Sequence, residues 1–294
     1  MSIKSLKTPL RYPGGKSKAI KTLSKWYPKT ISEYREPFIG GGSIAIDVTK
    51  SNPDIPIWIN DLYVPLYNFW VQLRDRGEEL SERVNEEKQK TLDEGDKDKI
   101  TASAKALFNK YKEEIDTYDD FEKAVAFFIM NKCSFSGLTE NSTFSQTASN
   151  SNFSLVGADK LKEFSKLIQH WKITNIDYSE VMSADGSDST FVFLDPPYDI
   201  KDFLYGKNRE MHKSFDHNLF AENVYKCKYN FMITYNVNHR LMQLYSNYEL
   251  NFWNLRYSMA HRGEKGTEDN VKQELLITNY NINPVTPIEE LLTT

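Results

Sequence analysis

Apolar positions along this chain follow two periods, and the switches between them outline an α/β layout. Short runs rich in branched and aromatic residues at 34–38, 55–59, 171–176, 190–194 and 230–234 predict buried strands. Spacings of three and four predict helices between them, at 17–26, 43–49, 158–170 and 217–227. From 62 to 130 the pattern is helical throughout. Leu66, Phe69, Trp70 and Leu73 share one face, Gly95 breaks a charged stretch, and Leu107 with Tyr111, then Phe121, Val125 and Phe128, mark further helices. Residues 133–154 are serine-rich with few charges and read as a long loop or a small hairpin. A polar stretch follows at 199–214. Two late strands, 248–257 and 273–278, with Gly263 and Gly266 between them, read as an antiparallel pair.

The chemistry gathers where strands end. The run 190–194 stops at Asp195-Pro196-Pro197-Tyr198. That places a carboxylate, stiff backbone carbonyls and a flat ring at one strand tip, the end of an open α/β sheet at which ligands bind. Acceptors beside a ring suit a planar amine. The first strand runs into Gly40-Gly41-Gly42 ahead of a helix, which allows close backbone approach by a ligand. The loop has neither the G-x-G-x-x-G spacing of dinucleotide binders nor the Lys-Ser/Thr ending of a triphosphate loop. Asp61 ends the second strand. It is either an acid placed to hold a ribose diol or a cap for the helix near Val64.

Composition narrows these readings. Two cysteines without pairing or metal spacing, Cys133 and Cys227, and no apolar run of spanning length predict a chain of the reducing cytoplasm, away from membranes. Neither cysteine follows a proline, which removes covalent attack on a pyrimidine through a Pro-Cys nucleophile. His212 and His217 have no evident third ligand, so they read as surface histidines and no metal is expected. The net charge is −4, yet the first 32 residues hold eight lysines and arginines and no acid. This arm is either a solvated basic face or a phosphate-facing surface. The acid-rich stretch 75–122 reads as a solvated helical face.

Taken in order along the chain, the motifs resemble the Dam-like, D12-class DNA adenine-N6 methyltransferases. Arg11-Tyr12-Pro13-Gly14-Gly15-Lys16 is similar to that family's basic-aromatic opening. Glu36-Pro37-Phe38 with the three glycines is similar to its S-adenosylmethionine loop. Asn60-Asp61, Phe135-Ser136-Gly137-Leu138, Asp195–Tyr198, Tyr235-Asn236 and the segment 274–280 follow in the family's order. The resemblance implies a Rossmann-like methyltransferase mixed sheet with a C-terminal antiparallel hairpin. It divides the chain into a catalytic domain, 1–61 with 155–294, and an inserted, mainly helical target-recognition region, 62–154. It implies S-adenosylmethionine as cofactor, double-stranded DNA as substrate, a bacterial or phage setting, and a cognate restriction endonuclease as a candidate partner. By the same resemblance Asp195, Pro196, Pro197 and Tyr198 are catalytic, and Asp at 195 favours adenine N6 over cytosine N4. Tyr12, Lys16, Phe38, Gly40, Gly42, Asp61, Asp177, Tyr178 and Asp195 face the cofactor, although Lys16 also reads as one more lysine of the arm and Asp177-Tyr178 as a strand-end turn. Arg11, Lys18, Asn131, Ser136, Thr139 and Asn141 are the DNA-facing candidates. Ser136 and Glu140 depart from the residues usual in Dam-like chains, so no GATC target is assigned.

Overall fold

The apolar runs become neighbours in one sheet. The computed structural model describes residues 5–137, 139, 142–198, 215–256 and 271–281. Its strands are β1 (Glu33–Glu36), β2 (Ile57–Asn60), β3 (Lys172–Thr174), β4 (Thr190–Leu194), β5 (Asn230–Asn236), β6 (Glu249–Arg256) and β7 (Val271–Thr278). Among the described residues they form a seven-stranded sheet in the order β3-β2-β1-β4-β5-β7-β6. The first five strands of that order run parallel, and β7 lies antiparallel to both β5 and β6. β2 and β4 are buried at every position, as a parallel sheet covered on both faces requires. The hairpin predicted at the C-terminal end is present, with Glu274 paired to both Asn236 and Trp253.

The chain moves outward from β1 to β2 and β3, then returns to β4 on the other side of β1. The order therefore reverses between β1 and β4. A crevice opens at such a reversal, beyond the carboxyl ends of the strands. The β1 loop, Asp61 after β2 and Asp195 after β4 all follow strand ends on that side.

The helices are α1 (Ile20–Leu23), α2 (Ser43–Ser51), α3 (Val64–Leu92), α4 (Lys97–Glu114), α5 (Asp120–Cys133), α6 (Gln146–Asn152), α7 (Leu155–Ile168) and α8 (Tyr178–Ser183), then His217–Lys226 and His239–Leu244. The face of α3 at Leu66, Phe69, Trp70 and Leu73 is fully buried and joins the cluster that holds Ile44, Tyr34 and Phe191. Residues of 62–154 thus share one apolar core with the sheet. A second cluster, built on Val192, Leu194, Phe220, Tyr235 and Leu275, covers the other face.

Three expectations need correction. The stretch 133–154 is neither a plain loop nor a hairpin. Ser134 and Phe144 form an isolated bridge, and α6 follows, capped by the Ser145 hydroxyl accepting from the Ala148 amide at 3.2 Å. Small residues such as Ala148 and Ser149 let α6 pack closely on α5, so no apolar period announced it. The helix expected at 17–26 is α1 flanked by two 3-10 turns. The helix expected from 158 begins at Leu155, because the Ser154 hydroxyl caps the Gly157 amide. The polar stretch 199–214, His212, Gly263 and Gly266 lie outside the described residues.

Candidate active site

Asp195 is the first residue beyond β4, and its carboxylate is held from two sides. Lys16 Nζ lies 2.7 Å from Oδ1 and 2.5 Å from Oδ2. The Thr234 hydroxyl, from β5, donates to Oδ1 at 2.7 Å. The Lys16 side chain is 3% exposed and that of Asp195 is 20% exposed, so the cation is sunk and the carboxylate faces the crevice. Lys16 also donates to the Gly14 carbonyl at 2.9 Å, which fixes the ammonium from its own loop. An ion this buried is tolerated only when paired and hydrogen-bonded. Lys16 is therefore a buried partner of Asp195, unlike the exposed Lys18 of the same arm. Its ammonium stands 5.1 Å from the centroid of the Tyr198 ring, a cation–π distance. The Tyr198 hydroxyl donates to Glu274 Oε2 at 2.6 Å.

Behind Asp195 sits Glu36, the last residue of β1 and 2% exposed. The Tyr34 hydroxyl donates to it at 2.6 Å. Burial pushes the Glu36 pKa up to about 8 against the pull of Tyr34, and the nearby Asp195 charge adds to the rise.

The glycine loop is shaped by two rings of the protein itself. The Tyr12 ring lies on Gly40, where an added Cβ would stand 2.9 Å from Cε1. Gly42 has φ +68°, and a Cβ there would stand 2.6 Å from Trp70 Cζ2. The Trp70 indole N–H donates to the Gly40 carbonyl at 3.2 Å. Asp61 closes the loop from β2, accepting from the Gly40 amide at 3.1 Å and from the Tyr63 amide at 3.0 Å. Burial raises its pKa to about 6 against those two bonds. Asn60 ties the adjoining strand ends together through bonds to the Pro37 and Ile176 carbonyls at 3.1 and 3.0 Å. On the other side, Phe38 and Tyr178 lie 5.4 Å apart, centroid to centroid, with Phe215 and Phe220 against both. Asp177 beside them caps α8, accepting from the Ser179 amide at 2.9 Å.

A carboxylate at the tip of β4, a ring beside it, and a glycine loop with an acid at the next strand tip form the arrangement of an amino-group methyltransferase. The family model for D12 class N6 adenine-specific DNA methyltransferases matches residues 12–259. The chain belongs to that family. It is similar to the type II methyltransferase M.MjaIII of Methanocaldococcus jannaschii, 24% identical over 200 residues that cover 64% of this chain and 68% of the relative. It is also similar to the type II methyltransferase M1.LlaDCHI of Lactococcus lactis subsp. cremoris, 23% identical over 194 residues covering 64% of each. The chain thus spans about two thirds of the length of these curated relatives. Among the described residues, no helix of the methyltransferase is long and apolar enough to cross a membrane.

The residues expected to meet DNA separate into two groups. Lys18 is exposed and Arg11 is half-buried, its guanidinium donating to the Ser134 carbonyl at 2.9 Å. Asn131 is fully buried, which corrects its expected role in reading bases. Its Oδ1 accepts from the Arg11 amide at 2.9 Å, and its Nδ2 donates to the Arg11 and Gly137 carbonyls at 2.8 and 3.0 Å. Asn131 therefore braces the turn at Gly137 against the N-terminal segment. Thr139 is also buried, at 4% exposure. Ser136 is half-buried with φ +57°, and Asn141 lies outside the described residues. Gly137 has φ +77°, and a Cβ there would stand 2.1 Å from the Arg11 carbonyl oxygen, so this contact needs a glycine.

Several contacts of the site were not legible in the sequence. Thr234 and Glu274 reach the Asp195–Tyr198 motif from β5 and β7, across 39 and 76 residues of chain. His217, expected at the surface, is half-buried, with Nδ1 2.9 Å from the Tyr235 hydroxyl. Tyr235-Asn236 and the segment at Glu274 carried a motif signal, but no local pattern showed what they touch.

Proposed function

We propose that this chain methylates adenine N6 in duplex DNA at the strand-tip site around Asp195, with S-adenosylmethionine as the methyl donor. The observation that carries the reading is the Asp195 carboxylate, held by Lys16 and Thr234 and turned toward the crevice beside the Tyr198 ring. The residues around the glycine loop suit the donor. Asp61 spends one acceptor position of each oxygen on a main-chain amide, and a carboxylate offers about four in all, so a ribose diol is accommodated. Phe38 and Tyr178 supply apolar ring surface for a purine. When bound, S-adenosylmethionine supplies a methyl group activated by its sulfonium.

The chain's own residues deal with a poor nucleophile. The N6 lone pair of adenine is delocalised into the ring. Acceptors at Asp195 and the Pro196 carbonyl hold the two N6–H groups and favour a pyramidal nitrogen with its lone pair directed at the methyl group. Lys16 and Thr234 stop the carboxylate rotating, so the acceptors are in place before the base arrives. Tyr198 stacks on the base, and Pro197 stiffens the turn between them. The base reaches this site by leaving the duplex stack. After transfer, the proton released by N6 lies beside Asp195. We assign target recognition to residues 62–154 together with Arg11 and Lys18.

The test gives tritiated S-adenosylmethionine and unmethylated duplex DNA to wild type and to Asp195→Ala. Label in N6-methyladenine from wild type, lost in the variant, is expected. Label in RNA or protein in place of DNA, or an Asp195→Ala variant that still transfers, would overturn the reading.

A further inference from the structure

Glu274 is a carboxylate set in the middle of a sheet. Its strand lies between β5 and β6, and its Cα pairs with Asn236 on one side and Trp253 on the other. The residue is 2% exposed. Burying a carboxylate costs several kcal/mol unless strong hydrogen bonds repay it. An apolar residue would suit the strand better, as Leu275, Leu276 and Ile277 beyond it illustrate. Yet Glu274 accepts the hydroxyl hydrogen of Tyr198 at 2.6 Å, the short bond of a neutral donor to a charged acceptor. The contact joins the catalytic turn after β4 to a strand two places away in the sheet.

Tyr198 needs such an anchor. It follows two prolines in a turn outside any strand, and its ring is only half-buried. On its own side it meets the Tyr235 ring at 6.0 Å and the Lys16 ammonium at 5.1 Å. Neither of these two contacts is a directional bond to the phenol. A directional bond from the phenol to a residue fixed by two neighbouring strands does limit tilt. It also withdraws proton density from the hydroxyl, leaving the ring face more electron-rich toward a cation or a purine.

We infer that Glu274 is a positioning residue for methyl transfer, one that fixes the Tyr198 ring through its hydroxyl so that the ring is already oriented when the target adenine arrives. This rests on the function proposed above. Ordering a stacking ring in advance removes its rotational entropy from the step that seats the base, so the effect falls on turnover and on DNA more than on the donor.

A double-mutant cycle of Glu274→Gln, Tyr198→Phe and both together tests it, read as methyl transfer from tritiated S-adenosylmethionine to unmethylated genomic DNA. A hydrogen bond to a charged group corresponds to roughly tenfold or more in rate, so each single variant is expected to lose about tenfold in kcat. The double variant should lose about the same tenfold, since both changes delete one interaction. The KM for S-adenosylmethionine should stay at the wild-type value in all three. Multiplying losses near a hundredfold, or a Tyr198→Phe variant with wild-type turnover, would overturn the inference. Tyr198→Phe keeps the ring and removes only the hydroxyl, so it decides the matter even if Glu274→Gln melts early. Asp195→Ala run alongside separates the two failures. If it still transfers methyl groups, the site is wrong. If it is inactive while the cycle multiplies, only the role of Glu274 is.

Discussion

The end proposed for methyl transfer and the side proposed for DNA recognition are held in different ways. Around the strand tips, each contact has a carboxylate as acceptor: Asp195 with Lys16, Glu274 with Tyr198, Asp61 with two amides. Thr234 and Glu274 reach in from strands of the sheet, and Lys16 from the N-terminal 3-10 turn. On the other side, main chain is what is held: the Arg11 guanidinium donates to the Ser134 carbonyl and Lys112 to the Ser142 carbonyl. Asn131 spends both ends of its side chain on main chain, and Arg11 and Gly137 touch backbone to side chain and backbone to backbone. A reacting centre must fix a few atoms against rotation, which short charge-assisted bonds from a rigid sheet accomplish. A recognition loop must keep its outer side chains available, so bracing through its backbone suits it.

If the two ends are held independently, a change at one leaves the other intact. Asp195→Asn is expected to lower kcat by about 10²–10³-fold, the scale of removing one preorganised group, while DNA affinity by filter binding stays near wild type. Equal loss of DNA affinity would show that the two ends are one unit. Gly137→Ala should do the reverse. It forces a Cβ into the Arg11 carbonyl at a positive φ. Strain of about 1–3 kcal/mol falls on the brace, which should weaken DNA binding roughly tenfold with the affinity for S-adenosylmethionine unchanged.

Glu36 sharpens the strand-tip half through pH. Its pKa rises from 4.5 to about 8 on folding. Between those values the native chain keeps a proton that the unfolded chain has lost, so stability falls as pH rises through that window and levels off above it. The slope from this one group is at most about 1.4 kcal/mol per pH unit. Urea midpoints from pH 5 to 8 should fall less steeply for Glu36→Gln than for wild type, and parallel curves would remove Glu36 as the source. The smallest effect belongs to Lys18→Ala, an exposed residue of the basic arm. Loss of one phosphate contact should weaken DNA binding a few-fold and lower the salt slope by about one. An unchanged slope would place the arm away from the duplex.

The two halves were also unequally legible. Strand existence, strand ends and Asp195 could be read from runs such as 190–194, because a buried parallel strand is apolar at every position and its punctuation is local. Even there the bounds moved: the second strand was expected to begin at 55 and begins at Ile57. Lys16 could not be separated from the basic arm by sequence, because its partner lies 179 residues away. Glu36 and Glu274 went unassigned because nothing local shows that a charged residue will be buried. Asn131 misled for the converse reason. A polar residue opening a polar stretch suggests solvent, and only the return of Arg11 against it makes it core. Helix α6 stayed hidden since close packing of small residues leaves no apolar stripe.

The two rings against Gly40 and Gly42 change what those glycines can be used to diagnose. Tyr12 and Trp70 exclude a side chain at both positions whether or not any nucleoside ever enters. A descendant of this chain that had lost catalysis would still be selected to keep the loop, merely to fold. Intact glycines in a distant copy are therefore a record of architecture, and the live signature to look for is the pair Lys16 and Asp195.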